Sequence, residues 1–120
     1  MSNFVQYSPE FKRRLKPFQK KYPTIKDNVK ALQHELAENP YLGEAYGDKI
    51  YKVRLADESK GKGKSGSFRV MYYLLEETEQ GINILLLTIF DKSEADTIKK
   101  KSAVKLKDYI LKSMGIDPKK

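Results

Sequence analysis

Ile82-Asn83-Ile84-Leu85-Leu86-Leu87-Thr88-Ile89-Phe90 is apolar on both faces of an extended chain. A strand of that kind belongs in the middle of a sheet that is covered on both sides. Working outward, residues 76–81 are an acidic hairpin tip, and the stretch before it alternates. Phe68, Val70, Tyr72 and Leu74 share one face, while Ser67, Arg69, Met71, Tyr73 and Leu75 point the other way. Residues 50–55 repeat the pattern, with Tyr51, Val53 and Leu55 opposed to Ile50, Lys52 and Arg54. A polar loop over residues 56–66 joins these two stretches, so the three strands predict an antiparallel meander.

The N-terminal part reads differently. Residues 4–7 are a short aromatic and β-branched run suited to an opening strand. Ser8 as N-cap, Pro9 at the first helical position and Glu10 in the first turn then open a helix. Phe11, Leu15, Phe18 and Tyr22 form its apolar stripe, and Pro17 is expected to kink or break it. Thr24 and Asp27 resemble a capping box for a second helix whose stripe is Ile25, Val29, Leu32 and Leu36. Two such helices joined by a tight turn predict a helical hairpin. Asn39-Pro40 ends the second, and residues 41–48 read as a loop. Ser93-Glu94-Ala95-Asp96 is a further capping signature, opening a last helix to about Leu111 with Ile98, Leu106, Tyr109 and Ile110 as its apolar residues. The expected order is β-α-α-β-β-β-α, an α+β domain over residues 1–120.

Composition narrows the function. The sequence carries 24 Lys+Arg against 16 Asp+Glu, a formal net charge of +8, which attracts polyanions and makes nucleic acid the leading partner class. Zero cysteines exclude disulfides, thiolate nucleophiles and Cys-based metal sites, and one histidine, His34, cannot build a multi-histidine site. No metal or cofactor is therefore expected. No stretch is long and apolar enough to span a membrane, and Met1-Ser2-Asn3-Phe4 lacks a charged segment followed by an apolar run, so a cytoplasmic location is the default expectation.

Gly61-Lys62-Gly63-Lys64-Ser65-Gly66 formally matches a dinucleotide fingerprint, but strands lie on both sides of it where that motif needs a strand before and a helix after. Lys60, Lys62 and Lys64 alternating with glycines suit a polyanionic chain instead. Arg54 and Arg69 flank this loop on neighbouring strands, and between Lys49 and Arg69 there are seven basic residues against Asp57 and Glu58. Metal-free RNA cleavage proceeds by attack of the ribose 2′-hydroxyl on its own phosphate, and needs a base, an acid and cations around the phosphorane. Lys62 or Lys64, crowded by other cations, is the candidate base, and Arg69 the candidate stabiliser of transition-state charge. A basic block on the first helix, Lys12, Arg13, Arg14, Lys16, Lys20 and Lys21, reads either as a solvated face or as further phosphate contact. His34, between core positions Leu32 and Leu36, reads as a surface residue.

Lys52-Val53-Arg54-Leu55-Ala56, the glycine loop, Phe68-Arg69-Val70-Met71-Tyr72-Tyr73 and Leu87-Thr88-Ile89-Phe90-Asp91-Lys92-Ser93-Glu94 together resemble the signature of RelE/HigB-type toxins of the RelE/ParE superfamily, roughly from Phe4 to Leu111. The resemblance implies a RelE-like fold and a ribosome-dependent mRNA endoribonuclease acting in the A site of the small subunit, held inactive by a cognate antitoxin. It implies catalytic roles for Lys62, Lys64, Arg69, Asp91 and Lys92. RNA contacts fall to Arg54, Lys60, Lys52, Phe90 and Glu94. Several family members carry a tyrosine or histidine near the end of the last strand; Phe90 stands there in this sequence, able to stack on a base but not to transfer a proton. The rival readings are a ParE-like toxin that binds DNA gyrase and a non-catalytic RNA-binding toxin. A basic cleft also implies an antitoxin segment with acidic residues and an apolar helix or strand.

Overall fold

Along the chain run β1 (Phe4–Tyr7), α1 (Pro9–Lys21), α2 (Ile25–Glu38), β2 (Glu44–Gly47), β3 (Ile50–Ala56), a single 3-10 turn (Glu58–Lys60), β4 (Ser67–Thr78), β5 (Gly81–Asp91) and α3 (Lys100–Ser113). This is a computed structural model, and it describes residues 3–60, 67–94 and 98–118. The strands form one sheet in the order β1-β5-β4-β3-β2. The expected antiparallel meander is its centre, and β1 joins β5 in parallel, Phe4 beside Asn83 and Tyr7 beside Leu86.

The alternation seen in the sequence sorts the core into two layers. Phe68, Val70, Tyr72 and Leu74 of β4 meet Leu55 of β3, Ile84, Leu86 and Ile89 of β5, and the stripes Phe11/Leu15 and Ile25/Val29/Leu32/Leu36 of the two helices. On the other face Ile50, Met71, Tyr73, Leu85, Leu87 and Phe90 are covered by Ala103, Ile110 and Leu111 of α3. With helices on both faces, β5 is sealed as its composition requires. The ladder between β4 and β5 is irregular twice. Met71 pairs with Thr88 and Tyr72 with Leu86, so Leu87 is an extra residue; Leu75 is extra on the partner strand. The first bulge turns Ile89 toward α1 and α2 and Phe90 toward α3.

Ser8 caps α1, its Oγ accepting from Phe11 N at 3.0 Å. Pro17 neither breaks nor splits the helix, which runs through it. The ring removes the N–H that would bond the Arg13 carbonyl, but Pro17 is on the exposed side, where water can serve that carbonyl. Thr24 does not form the expected capping box: it makes no side-chain cap bond, and its hydroxyl is engaged elsewhere. Residues 41–48 are not all loop, because β2 pairs with β3 across a tight turn in which Asp48 (φ 53°) and Lys49 (φ 63°) both take positive φ. Positive φ at both central residues is what a two-residue hairpin of right-handed twist requires.

The last helix starts later than expected, at Lys100, and Lys99 caps it without a side-chain bond. Ser93 and Glu94 close the turn after β5 instead. The Asp91 carboxylate accepts from Ser93 N and Oγ at 3.0 Å each, Glu94 Oε1 accepts from Asp91 N at 3.0 Å, and Glu94 N donates to Asp91 O at 2.9 Å. Ala95 and Asp96 of the expected signature lie outside the described residues. Tyr109 is 68% exposed rather than core, and its place in the layer is taken by Lys107. The Lys107 ammonium is held at 2.7 Å by both Asp48 and Asp108, which ties α3 to the β2–β3 turn. Those two carboxylates outweigh the burial that would lower its pKa and leave it raised.

Candidate functional site

β3 and β4 pair in a register that sets Arg54 directly opposite Arg69. Both belong to the face of the sheet that α3 covers further along, the face of Ile50 and Met71. Lys52 lies two residues before Arg54 on that face, roughly 7 Å away along the strand. Arg54 is exposed and Arg69 half-buried. Among the described residues no carboxylate forms an ion pair with Lys52, Arg54 or Arg69. Like charges on opposed positions of an antiparallel pair repel, and a shared anion relieves that repulsion. The Arg69 guanidinium is steadied through Nη1, which donates to Ser67 Oγ (3.1 Å) and Phe68 O (3.3 Å). Its remaining donors keep the planar fork that matches phosphate oxygens.

The last pair of this ladder, Ala56 opposite Ser67, is two residues from the arginines. The chain therefore leaves and re-enters the sheet beside them. Lys62 and Lys64, with the rest of Gly61–Gly66, lie outside the described residues, as does the side chain of Lys60, the last residue of the 3-10 turn. The root of that connection is fixed by a residue the sequence gave no reason to single out. Asp57, 2% exposed, accepts from Thr24 Oγ1 (2.7 Å), Ser59 N (2.9 Å), Asn28 Nδ2 (3.1 Å) and, at short range, Ser59 Oγ. Burial pushes its carboxyl up, and the hydrogen bonds from Ser59, Thr24 and Asn28 outweigh burial and hold it below the usual carboxylate range. Thr24, the expected helix cap, is thus spent on joining α2 to the end of β3.

The residues after β5 divide. Lys92 is half-buried, and its N–H donates to Ser67 O at 3.4 Å, which places it next to the start of the Arg69 strand. Asp91 pairs in register with Phe68, a residue of the α1/α2 layer, and its carboxylate serves the turn. Glu94 turns the same way, its Oε2 meeting Arg14 of α1 at 3.3 Å while Arg14 Nε donates to Ile89 O at 3.3 Å. Closing the turn and meeting α1 draw both acids away from the arginine pair. Phe90 is 2% exposed beneath α3, so the expected base-stacking role does not fit its position: neither ring face is open. His34 is exposed on α2, as read from the sequence.

Sequence comparison adds no family, since no protein-family model matches the chain. Structural comparison does find a counterpart. The fold is similar to that of the E. coli toxin RelE, solved in the free state as a double arginine-to-alanine mutant, with a TM-score of 0.55 and 16% identity over 95% of this chain and 99% of that one. The chain therefore has the RelE-like toxin fold, the α+β architecture that its sequence motifs led us to expect.

Proposed function

We propose that this chain is the toxin of a type II toxin–antitoxin pair, a metal-independent endoribonuclease that cuts mRNA in the ribosomal A site and so inhibits translation. The observation that carries the reading is the opposition of Arg54 and Arg69 on a face with Lys52 and, among the described residues, no carboxylate paired with them. Two arginines on directly opposed positions can bring both guanidinium forks to one phosphodiester. As the 2′-hydroxyl attacks, charge accumulates on the equatorial oxygens of the phosphorane, and the pair of forks stabilises that charge more than it stabilises the ground state. Lys62 or Lys64 takes the proton of the 2′-hydroxyl in this scheme, the P–O5′ bond breaks to leave a 2′,3′-cyclic phosphate, and the departing 5′-oxygen takes its proton from water; Lys60 and Lys92 hold flanking phosphates, and no cofactor is called for. The RelE-like fold supports the toxin role, and the basic face suits an antitoxin segment bearing acidic residues.

The test is to incubate translating ribosomes with the protein and map mRNA 3′ ends. Cuts within the A-site codon are expected from the wild type. Arg69→Ala is expected to lower cleavage by 10²-fold or more, the order found when one transition-state donor is removed, while leaving co-purification with the antitoxin intact. Unaltered cleavage removes Arg69 from the mechanism. Absence of cleavage together with poisoning of DNA gyrase gives the ParE-like reading in its place.

A further inference from the structure

We infer that Tyr46 is the base-stacking residue of this site, a platform for the nucleotide adjoining the phosphate held by Arg54 and Arg69. The inference rests on the reading of the arginine face as an RNA site. Phe90 is sealed under α3 and offers no ring to a nucleotide on this face. Tyr73 is 9% exposed and lies against the Lys107 ammonium, 5.3 Å from the ring centre. Tyr109 is exposed, but it borders a recess with Pro9, Glu10 and Arg13 at the start of α1. Among the described residues Tyr46 remains: half-exposed, and packed at its base against the Ile50 and Tyr73 layer.

Its backbone position is unusual. Ala45 pairs with Tyr51 and Gly47 with Ile50, so Tyr46 is the residue at which the β2–β3 ladder slips. A slip of this kind re-aims a side chain that regular pairing would fix. Lys52 Nζ donates to the Tyr46 hydroxyl at 2.9 Å yet lies 5.0 Å from the ring centre. The amine therefore sits beyond the hydroxyl rather than over the ring, and orients the phenol without covering a face. From the level of Tyr51, beside the slip, to Arg54 is three residues, about 10 Å of strand. Lys52 stands between. A single strand of RNA laid along β3 would meet the arginine pair at one phosphate, Lys52 further on, and the Tyr46 ring at the neighbouring base. Stacking of this sort accepts any base, because each has a π-face.

The experiment uses the full chain, a short single-stranded oligonucleotide made uncleavable by 2′-deoxy substitution, and a set of the same oligonucleotides each with one abasic position, read by fluorescence anisotropy. For the wild type, one abasic position is expected to weaken binding about tenfold. Tyr46→Ala should lose about the same factor on the intact strand and become indifferent to the abasic position, whereas Tyr46→Phe keeps both. Arg69→Ala should weaken all strands alike. Thermal melts confirm that each variant is folded. If Tyr46→Ala binds the intact strand as tightly as the wild type, or still senses the missing base, the stacking role is overturned. If the wild type binds none of the strands, the RNA reading of the face falls, and the stacking role with it.

Discussion

The opposed arginines should leave a signature in stability as well as in activity. Guanidinium groups on directly paired positions lie roughly 6–8 Å apart when they splay. At that separation Coulomb's law gives about 0.6 kcal/mol of repulsion at the dielectric constant of water and about 2.4 kcal/mol at an effective value near 20. Arg54 is exposed and Arg69 half-exposed, so the lower figure governs. A double-mutant cycle with Arg54→Gln and Arg69→Gln isolates this coupling from the bonds Arg69 makes to Ser67 and Phe68, which are lost equally on both sides of the cycle. We expect a repulsive coupling of about 0.3–1 kcal/mol by urea unfolding at about 0.02 M salt. It should fall below half at about 0.5 M salt, where the Debye length is roughly 4 Å. A coupling that is attractive, or indifferent to salt, would mean the guanidinium groups do not share a site, and the phosphate seat would have no basis.

Other perturbations probe the supports of this face. Asp57→Asn should cost about 1–3 kcal/mol, the penalty for disturbing a satisfied buried acceptor. Because the folded pKa of Asp57 is lowered, its contribution is full above the unfolded value of about 3.9 and is lost as pH falls through the folded value. The gap between wild type and variant in urea midpoint should therefore shrink below about pH 4, and a gap constant down to pH 2.5 would count against the hydrogen-bond cluster. Phe90→Leu is expected to keep most RNA cleavage, while Phe90→Ala destabilises by about 3–5 kcal/mol in denaturant melts; loss of cleavage in a fully stable Phe90→Leu protein would restore the ring to the site. In Gly43→Ala, the added Cβ would sit 2.7 Å from Lys52 O and 3.1 Å from the Tyr72 hydroxyl, so a stability loss of about 1–3 kcal/mol is expected, and a neutral melt would show that β3 yields there.

What could be read from the sequence was whatever apolar periodicity encodes. The stripes of α1 and α2, the two faces of β3 and β4 and the sealed character of β5 all follow from which residues avoid water. The neighbouring placement of Arg54 and Arg69 follows from the same alternation, since strands that turn Val53 and Val70 toward the α1/α2 layer must turn the residues beside them the other way. β2 escaped because Glu44-Ala45-Tyr46-Gly47 is an edge strand with little to bury, and so has no pattern to find. The start of α3 was misjudged because Ser93 and Glu94 make the bonds of a helix cap to end a strand. The burial of Phe90 beside Arg69 depends on the extra residue at Leu87, which no local signal announces. Asp57 draws Thr24 and Asn28 from about thirty positions away, a polar long-range contact that leaves no periodic trace.

The sheet is also built so that its most adhesive sequence is kept from other molecules. β4 and β5, of 12 and 11 residues, are the segments most able to template a cross-β fibril, and both lie inside the sheet. The strands at the rims have four residues each, one carrying Glu44 and a break in its ladder. A foreign strand seeking to extend the sheet would find only a few rungs before the pairing surface ran out. A centre this greasy is thereby kept from pairing with another copy of itself.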